Sequence, residues 1–188
     1  MIELLAPAGD LERAKVAFDY GADAVFIGGK RFSLRAKASN FDLDQIKQAC
    51  DYAHALAKKL FVTVNMLPHE DDLVGLDEYL ISLNECGVDA IIAASLSIAK
   101  RAIDLKLDYE VHLSTQLSIT NSKAMEFYKS VGIDRVVLAR ELDLNMVKAI
   151  QEKHIIDTEI FIHGGMCVNY SGRCTLSNQM TLRDAIRG

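Results

Sequence analysis

Three times in this chain a glycine, one residue and an aspartate run straight into an apolar stretch. The segments are Gly21-Ala22-Asp23-Ala24-Val25-Phe26-Ile27, Gly87-Val88-Asp89-Ala90-Ile91-Ile92-Ala93 and Gly132-Ile133-Asp134-Arg135-Val136-Val137-Leu138. Each reads as a helix stopped at glycine and a buried strand begun at once, the αβ junction of a repeated unit. A chain built this way is confined to the α/β class with a parallel sheet.

Strands are expected near Glu3–Ala6, Ala24–Gly28, Leu60–Met66, Ala90–Ala94, Glu110–Thr115, Arg135–Ala139 and Glu159–His163, with helices between them. Asp42-Leu43-Asp44-Gln45 has the form of a capping box. Leu43, Ile46, Cys50, Ala53 and Ala57 make the apolar stripe behind it, and Leu76, Tyr79, Leu80, Leu83 and Cys86 make the next. No G-x-G-x-x-G follows a strand, which weakens a dinucleotide fold. The order favours a (β/α)8, TIM-like barrel. Such barrels need about 250 residues, and this chain has 188. The expectation is one barrel-like N-terminal catalytic domain over residues 1–188, truncated after about seven β-α units. A naturally short barrel is the alternative.

Chemistry in such barrels sits at the C-terminal strand ends. Asn65 ends the third strand, and His112, Ser114 and Gln116 share one face of the fifth. Arg140-Glu141 ends the sixth. His163 ends the seventh, with Phe161 and Glu159 on its face. These positions predict a polar pocket. The loop Lys30–Lys37, which includes Arg35, reads either as an anion site or as a solvated loop. His69-Glu70-Asp71-Asp72 caps a helix more readily than it ligates a metal.

The stretch Glu159–Ser177 reads E-I-F-I-H-G-G-M-C-V-N-Y-S-G-R-C-T-L-S. It places Cys167 and Cys174 in a polar, glycine-bearing loop, an unusual place for thiols. Two thiolates cannot complete a four-cysteine site. The residues alone leave three readings open: half of a cluster, a Cys167 nucleophile with His163 as base, and two inert thiols. Cys50 and Cys86, on helix stripes, are expected to be small buried hydrophobes.

The formal charge of −5 argues against a broad nucleic-acid-binding surface. It leaves room for RNA read by a local patch. No run is long and apolar enough for a membrane span, and Met1–Leu5 does not open a secretory signal. A cytosolic protein without structural disulfides is expected. H-E-x-x-H, G-x-S-x-G and the P-loop are all missing.

The Glu159–Ser177 stretch resembles the signature of peptidase family U-32, the collagenase-like proteases. Glu159, Phe161, Gly164, Met166, Cys167, Gly172, Cys174, Leu176 and Ser177 fit it, and Gly165 stands where Ser or Ala is usual. Leu4–Gly9, Phe32–Arg35, Val62–Asn65, His112–Gln116 and Leu138–Glu141 are similar to other blocks of the family.

The resemblance implies a barrel-like N-terminal region and oxygen-independent hydroxylation. The RNA-modifying branches take the hydroxyl group from prephenate. It also implies a 4Fe–4S cluster on four cysteines, of which Cys167 and Cys174 match two. The other two are expected beyond Gly188, so no complete cluster is expected on these residues alone. Asn178–Gly188 is most similar to the branch that hydroxylates the tRNA wobble uridine.

From this we expect tRNA and a small anionic hydroxyl donor such as prephenate as partners, with a protein of the same family as a further one. Arg35 and Arg140 are expected to anchor the anion, and Asn65, His112 and Gln116 to line the pocket. His163 and Glu141 are expected to move protons. The rival readings are a collagenase-like peptidase and a non-catalytic partner within a hydroxylase complex.

Overall fold

The computed structural model describes residues 2–34, 40–164 and 169–173. Seven parallel strands lie side by side in chain order: β1 (Leu5–Pro7), β2 (Ala24–Gly28), β3 (Lys59–Val64), β4 (Ala90–Ala93), β5 (Glu110–Leu113), β6 (Arg135–Val137) and β7 (Asp157–Glu159). Six α-helices connect them: α1 (Leu11–Asp19), α2 (Leu43–Ala55), α3 (Leu76–Glu85), α4 (Leu96–Asp104), α5 (Ser122–Ser130) and α6 (Leu144–Gln151). Strict sequence order with a helix at every crossover is the TIM-like arrangement. Among the described residues, β1 and β7 are the two edges of the sheet.

The recurring aspartates have a shared job. Asp23 Oδ2 accepts from the Leu4 amide (3.0 Å), Asp89 Oδ2 from Leu60 (2.7 Å) and Asp134 Oδ2 from Val111 (2.8 Å). In return the three aspartate amides donate to the carbonyls of those same residues, at 2.9–3.1 Å. Each Asp therefore ties the entry of its strand to the strand before it. The glycine two residues earlier has φ of +101°, +81° or +95°, a left-handed helix stop that residues with a Cβ disfavour.

The sheet separates two apolar layers. Outward residues such as Val25, Leu60, Val62, Ile91 and Leu113 pack under the helices. Inward residues Ala24, Phe61, Ala90 and Ile92 fill the barrel interior. The capping box of α2 forms as expected, with Asp42 and Gln45 bonded reciprocally, and Ile46, Cys50 and Ala53 are buried behind it. Leu43 stays at the edge of that stripe, and Ala57 lies beyond the helix with a positive φ. Burial pushes the Cys50 thiol up to about 12, which suits an inert core residue.

The sheet curls enough for residues far apart in sequence to meet across its interior. Glu3, just before β1, accepts from Arg135 of β6 at 2.6 Å and pairs with Lys59 at 3.1 Å. The seventh strand differs from expectation. It lies two residues earlier, and Phe161, Ile162 and His163 are exposed beyond it. The reason is pairing on one side only. The β6–β7 ladder ends at Val137↔Glu159, and the last amide of that edge, Leu138 N, donates to Glu159 O at 2.9 Å.

Candidate functional site

At the C-terminal ends of the strands lies a cavity of about 200 Å³. Its polar wall includes Asn65, Gln116, Ser114 and Thr63. Phe26 and Phe161 are its aromatic members, and Glu159 is its acid. Asn65 follows β3 and Gln116 lies in a 3-10 turn, Thr115–Leu117, directly after β5. Ser114 caps that turn by accepting from the Gln116 amide at 3.3 Å.

The two amides form a pair. Asn65 Nδ2 donates to Gln116 Oε1 (3.1 Å), and Gln116 Nε2 donates to Asn65 O (3.4 Å). Asn65 Oδ1 accepts from the Leu34 amide at 3.1 Å, which moors the loop after β2. Ser33 and Thr63 add a hydroxyl pair at 3.2 Å. The wall is thus pre-oriented by its own hydrogen bonds, as a binding surface requires.

His112 is not in this wall. It was expected to share the pocket with Ser114 and Gln116, but strand register sets it one step lower. His112 pairs with Arg135, whereas Glu159 pairs with Val137, two residues further on. The imidazole is fully buried, edge-on to Phe61 (centroids 5.0 Å apart), and Nε2 meets Glu110 Oε2 at 2.8 Å. Burial lowers its pKa, partly opposed by Glu110, so it is a neutral part of the barrel floor. Side chains on one strand face differ in depth, and alternation alone does not report depth.

Glu141 also has another job. Its carboxylate accepts from the Ser171 amide and from Ser171 Oγ (2.9 Å). Burial opposes its ionisation, but the Ser171 bonds outweigh this and hold the carboxyl below its usual range. The turn it anchors, residues 169–173, lies in sequence between Cys167 and Cys174. Ser171 is buried there, and Ser118 Oγ and Thr115 Oγ1 also bond to it. Gly172 has φ +70°, and a Cβ on it would stand 1.8 Å from Gln116 O. The glycine of the signature is therefore required sterically.

Arg140 is exposed, its guanidinium 5.7 Å from the ring centroid of Phe161, which lines the cavity. His163 is exposed and does not line the cavity. Arg35, Cys167 and Cys174 lie outside the described residues. Among the described residues no group of three or more His, Cys, Asp or Glu could hold a metal. Cys167 and Cys174 flank the anchored turn, so the fold sets that turn beside Gln116 and the cavity wall. A four-cysteine cluster on them needs two further ligands.

Glu159, which the sequence places on the face of the seventh strand, is the pocket residue to which it assigns no role. It lines the cavity, and its Oε2 is buried with no hydrogen-bond partner among the described residues. Burial pushes its carboxyl up to about 7; Arg135 pulls it down and Glu3 pushes it up. Its position on the same strand face as Phe161, at the head of the Glu159–Ser177 stretch, was the available signal.

Residues 9–188 match the family model described as Peptidase family U32. Among the curated relatives, tRNA hydroxylation protein P1 of Bacillus subtilis is 48% identical over 99% of this chain and 44% of its own length. The 23S rRNA 5-hydroxycytidine synthase of Escherichia coli is 41% identical over 100% of this chain and 28% of its own length. A collagenase of Porphyromonas gingivalis is 32% identical over 99% and 47%. The chain thus spans less than half the length of these relatives. Among solved structures, a U32 peptidase superposes with a TM-score of 0.66 at 13% identity, over 85% of this chain and 67% of its own. CutC of Streptococcus agalactiae gives 0.67 at 15% identity, over 96% and 92%. These two support the barrel fold alone.

Proposed function

The chain belongs to peptidase family U32, and from that membership we propose that the whole protein hydroxylates a uridine of tRNA in the cytosol. The observation that carries this reading is the near-complete alignment of the chain with a tRNA hydroxylation protein. The proposed partners are tRNA and a small anionic hydroxyl donor such as prephenate, with a family member as a possible further subunit. Among the described residues no helix is long and apolar enough to cross a membrane.

In this reading the strand-end cavity receives the reacting group, and the Asn65–Gln116 pair orients it. Arg140, and Arg35 on the loop after β2, supply positive charge for an anionic substrate. A 4Fe–4S cluster held by Cys167, Cys174 and two further cysteines would supply one-electron chemistry when bound. The role of this chain's own residues is to seat that loop. Glu141 and Gly172 fix the turn between the two cysteines against the cavity wall.

The test is the whole protein purified without oxygen, with iron and acid-labile sulfide measured and tRNA nucleosides examined by mass spectrometry after incubation with prephenate. About four irons per chain and newly formed 5-hydroxyuridine, both lost in Cys167→Ala/Cys174→Ala, support the reading. Peptide cleavage that depends on Cys167 or His163, with no tRNA product, supports the peptidase instead. A bound cluster with neither product nor prephenate binding supports a non-catalytic partner.

A further inference from the structure

The cavity has an acid in its lining, Glu159, and an exposed guanidinium, Arg140, beside its lining residue Phe161. Glu159 lies inside, and its row is fixed by the Val137↔Glu159 pairing. The charged groups that face it are Arg135 on β6, already bonded to Glu3, and Glu3 itself. On the cavity side, its described neighbours across the lining are neutral: Asn65, Ser114, Gln116 and Thr63. A carboxyl whose Oε2 is buried with no hydrogen-bond partner among the described residues favours the neutral acid, and a neutral acid is a hydrogen-bond donor. Phe26 and Phe161 are the aromatic side chains that line the same space. Arg140 sits over the outer of the two rings. The volume, about 200 Å³, lies below the range for drug-sized ligands and suits a single ring.

We propose that this cavity takes one pyrimidine base, with a ring carbonyl oxygen receiving a hydrogen bond from the neutral Glu159 carboxyl and the base's phosphate held outside at Arg140. Asn65 and Gln116 each carry both an amide donor and an acceptor, so they can complement the N–H and second carbonyl of the ring. Contact of a planar base with aromatic side chains is a common way of holding an unstacked nucleotide. The proposal rests on the tRNA reading above and adds which part of the substrate enters the barrel. The competing occupant of the same donor is the carboxylate of the small hydroxyl donor.

The test uses the whole protein and the dinucleotide UpU, whose single phosphodiester does not titrate between pH 6 and pH 8. UpU affinity should fall about tenfold across that range in the wild type, because a donor with a pKa of about 7 loses its proton there. Glu159→Gln retains an N–H donor at every pH. It should bind UpU about equally at both ends, within about threefold of the wild type at pH 6. Arg140→Met should weaken UpU more than free uridine. Melting of both variants at pH 6 no lower than the wild type excludes misfolding.

An unaltered pH dependence in Glu159→Gln overturns the proposal. So does a result in which prephenate, and not UpU, shows the pH-dependent binding that the variant removes. Absence of tRNA product in the wild type would sink the hydroxylation reading without touching these binding results.

Discussion

Gly172 packs so tightly on the carbonyl of Gln116 that a Cβ would lie 1.8 Å from its oxygen. One residue thereby joins the turn between the loop cysteines to the wall of the cavity, because the Gln116 side chain lines that wall. A backbone contact of this kind transmits position and leaves no room for a larger residue.

Gly172→Ala should therefore displace the turn. The new side chain meets both a left-handed backbone and the Gln116 carbonyl, a local cost of about 1–3 kcal/mol. Limited proteolysis should cut within residues 169–173 several-fold faster, while the global melting temperature moves little. Under the proposed cluster reading, the iron content of the whole protein should fall with it. A variant that resists protease like the wild type would show that the turn is held otherwise.

Glu141→Gln should resemble Gly172→Ala in weaker form. The carboxylate accepts two bonds from Ser171, and an amide can keep only one as an acceptor. If Glu141 moves protons instead, the variant should lose turnover with the turn still protected, which separates the two roles.

Glu159 makes a signed prediction about stability. Its folded pKa, about 7, lies above the unfolded carboxyl range. The folded state therefore binds the extra proton between those values, and stability falls as pH rises through that window. Glu159→Gln should raise the melting temperature at pH 8, by the equivalent of about 1–2 kcal/mol, and change it little at pH 4. Equal shifts at both pH values would refute the buried-acid picture.

The floor of the barrel should govern acid stability. Burial pushes Glu3 up, but Arg135 and Lys59 outweigh it and leave its carboxyl below the usual range. The bond from His112 likewise lowers Glu110. Their contributions are complete above about pH 4.3, the unfolded value, and are lost as pH falls through the folded values. His112 adds in the same direction, since its lowered pKa makes folding weaken as pH drops below about 6.5. Arg135→Met should flatten the acid limb of a melting-versus-pH curve and lower stability at pH 7 by about 1–3 kcal/mol.

His112→Ala and Asn65→Ala should separate floor from wall. His112→Ala opens a void in the packed interior and should cost about 2–4 kcal/mol. Asn65→Ala should cost about 1 kcal/mol of stability, yet under the proposed tRNA hydroxylation it should lower kcat/KM by tenfold or more, because it frees Gln116 and the Leu34 amide together. The reverse ordering in melting and kinetics would put His112 back in the binding site.

The order of elements was legible in the amino acids alone, because each αβ junction is a local device. A glycine that tolerates positive φ and an aspartate that ties two strand entries announce themselves at Gly21-Ala22-Asp23 and its two repeats. Asn65 and Gln116 were legible for a related reason: they stand at strand ends, where a barrel opens. Depth and partnership were not legible. His112 and Ser114 share a face by simple alternation, and only the register with β6 and β7 shows that one is floor and the other rim. Glu141 meets Ser171 across 30 residues, and the Oε2 of Glu159, buried in the fold, has no hydrogen-bond partner among the described residues. Those properties arise from how strands are staggered and bent around a shared interior, and no local sequence pattern carries that geometry.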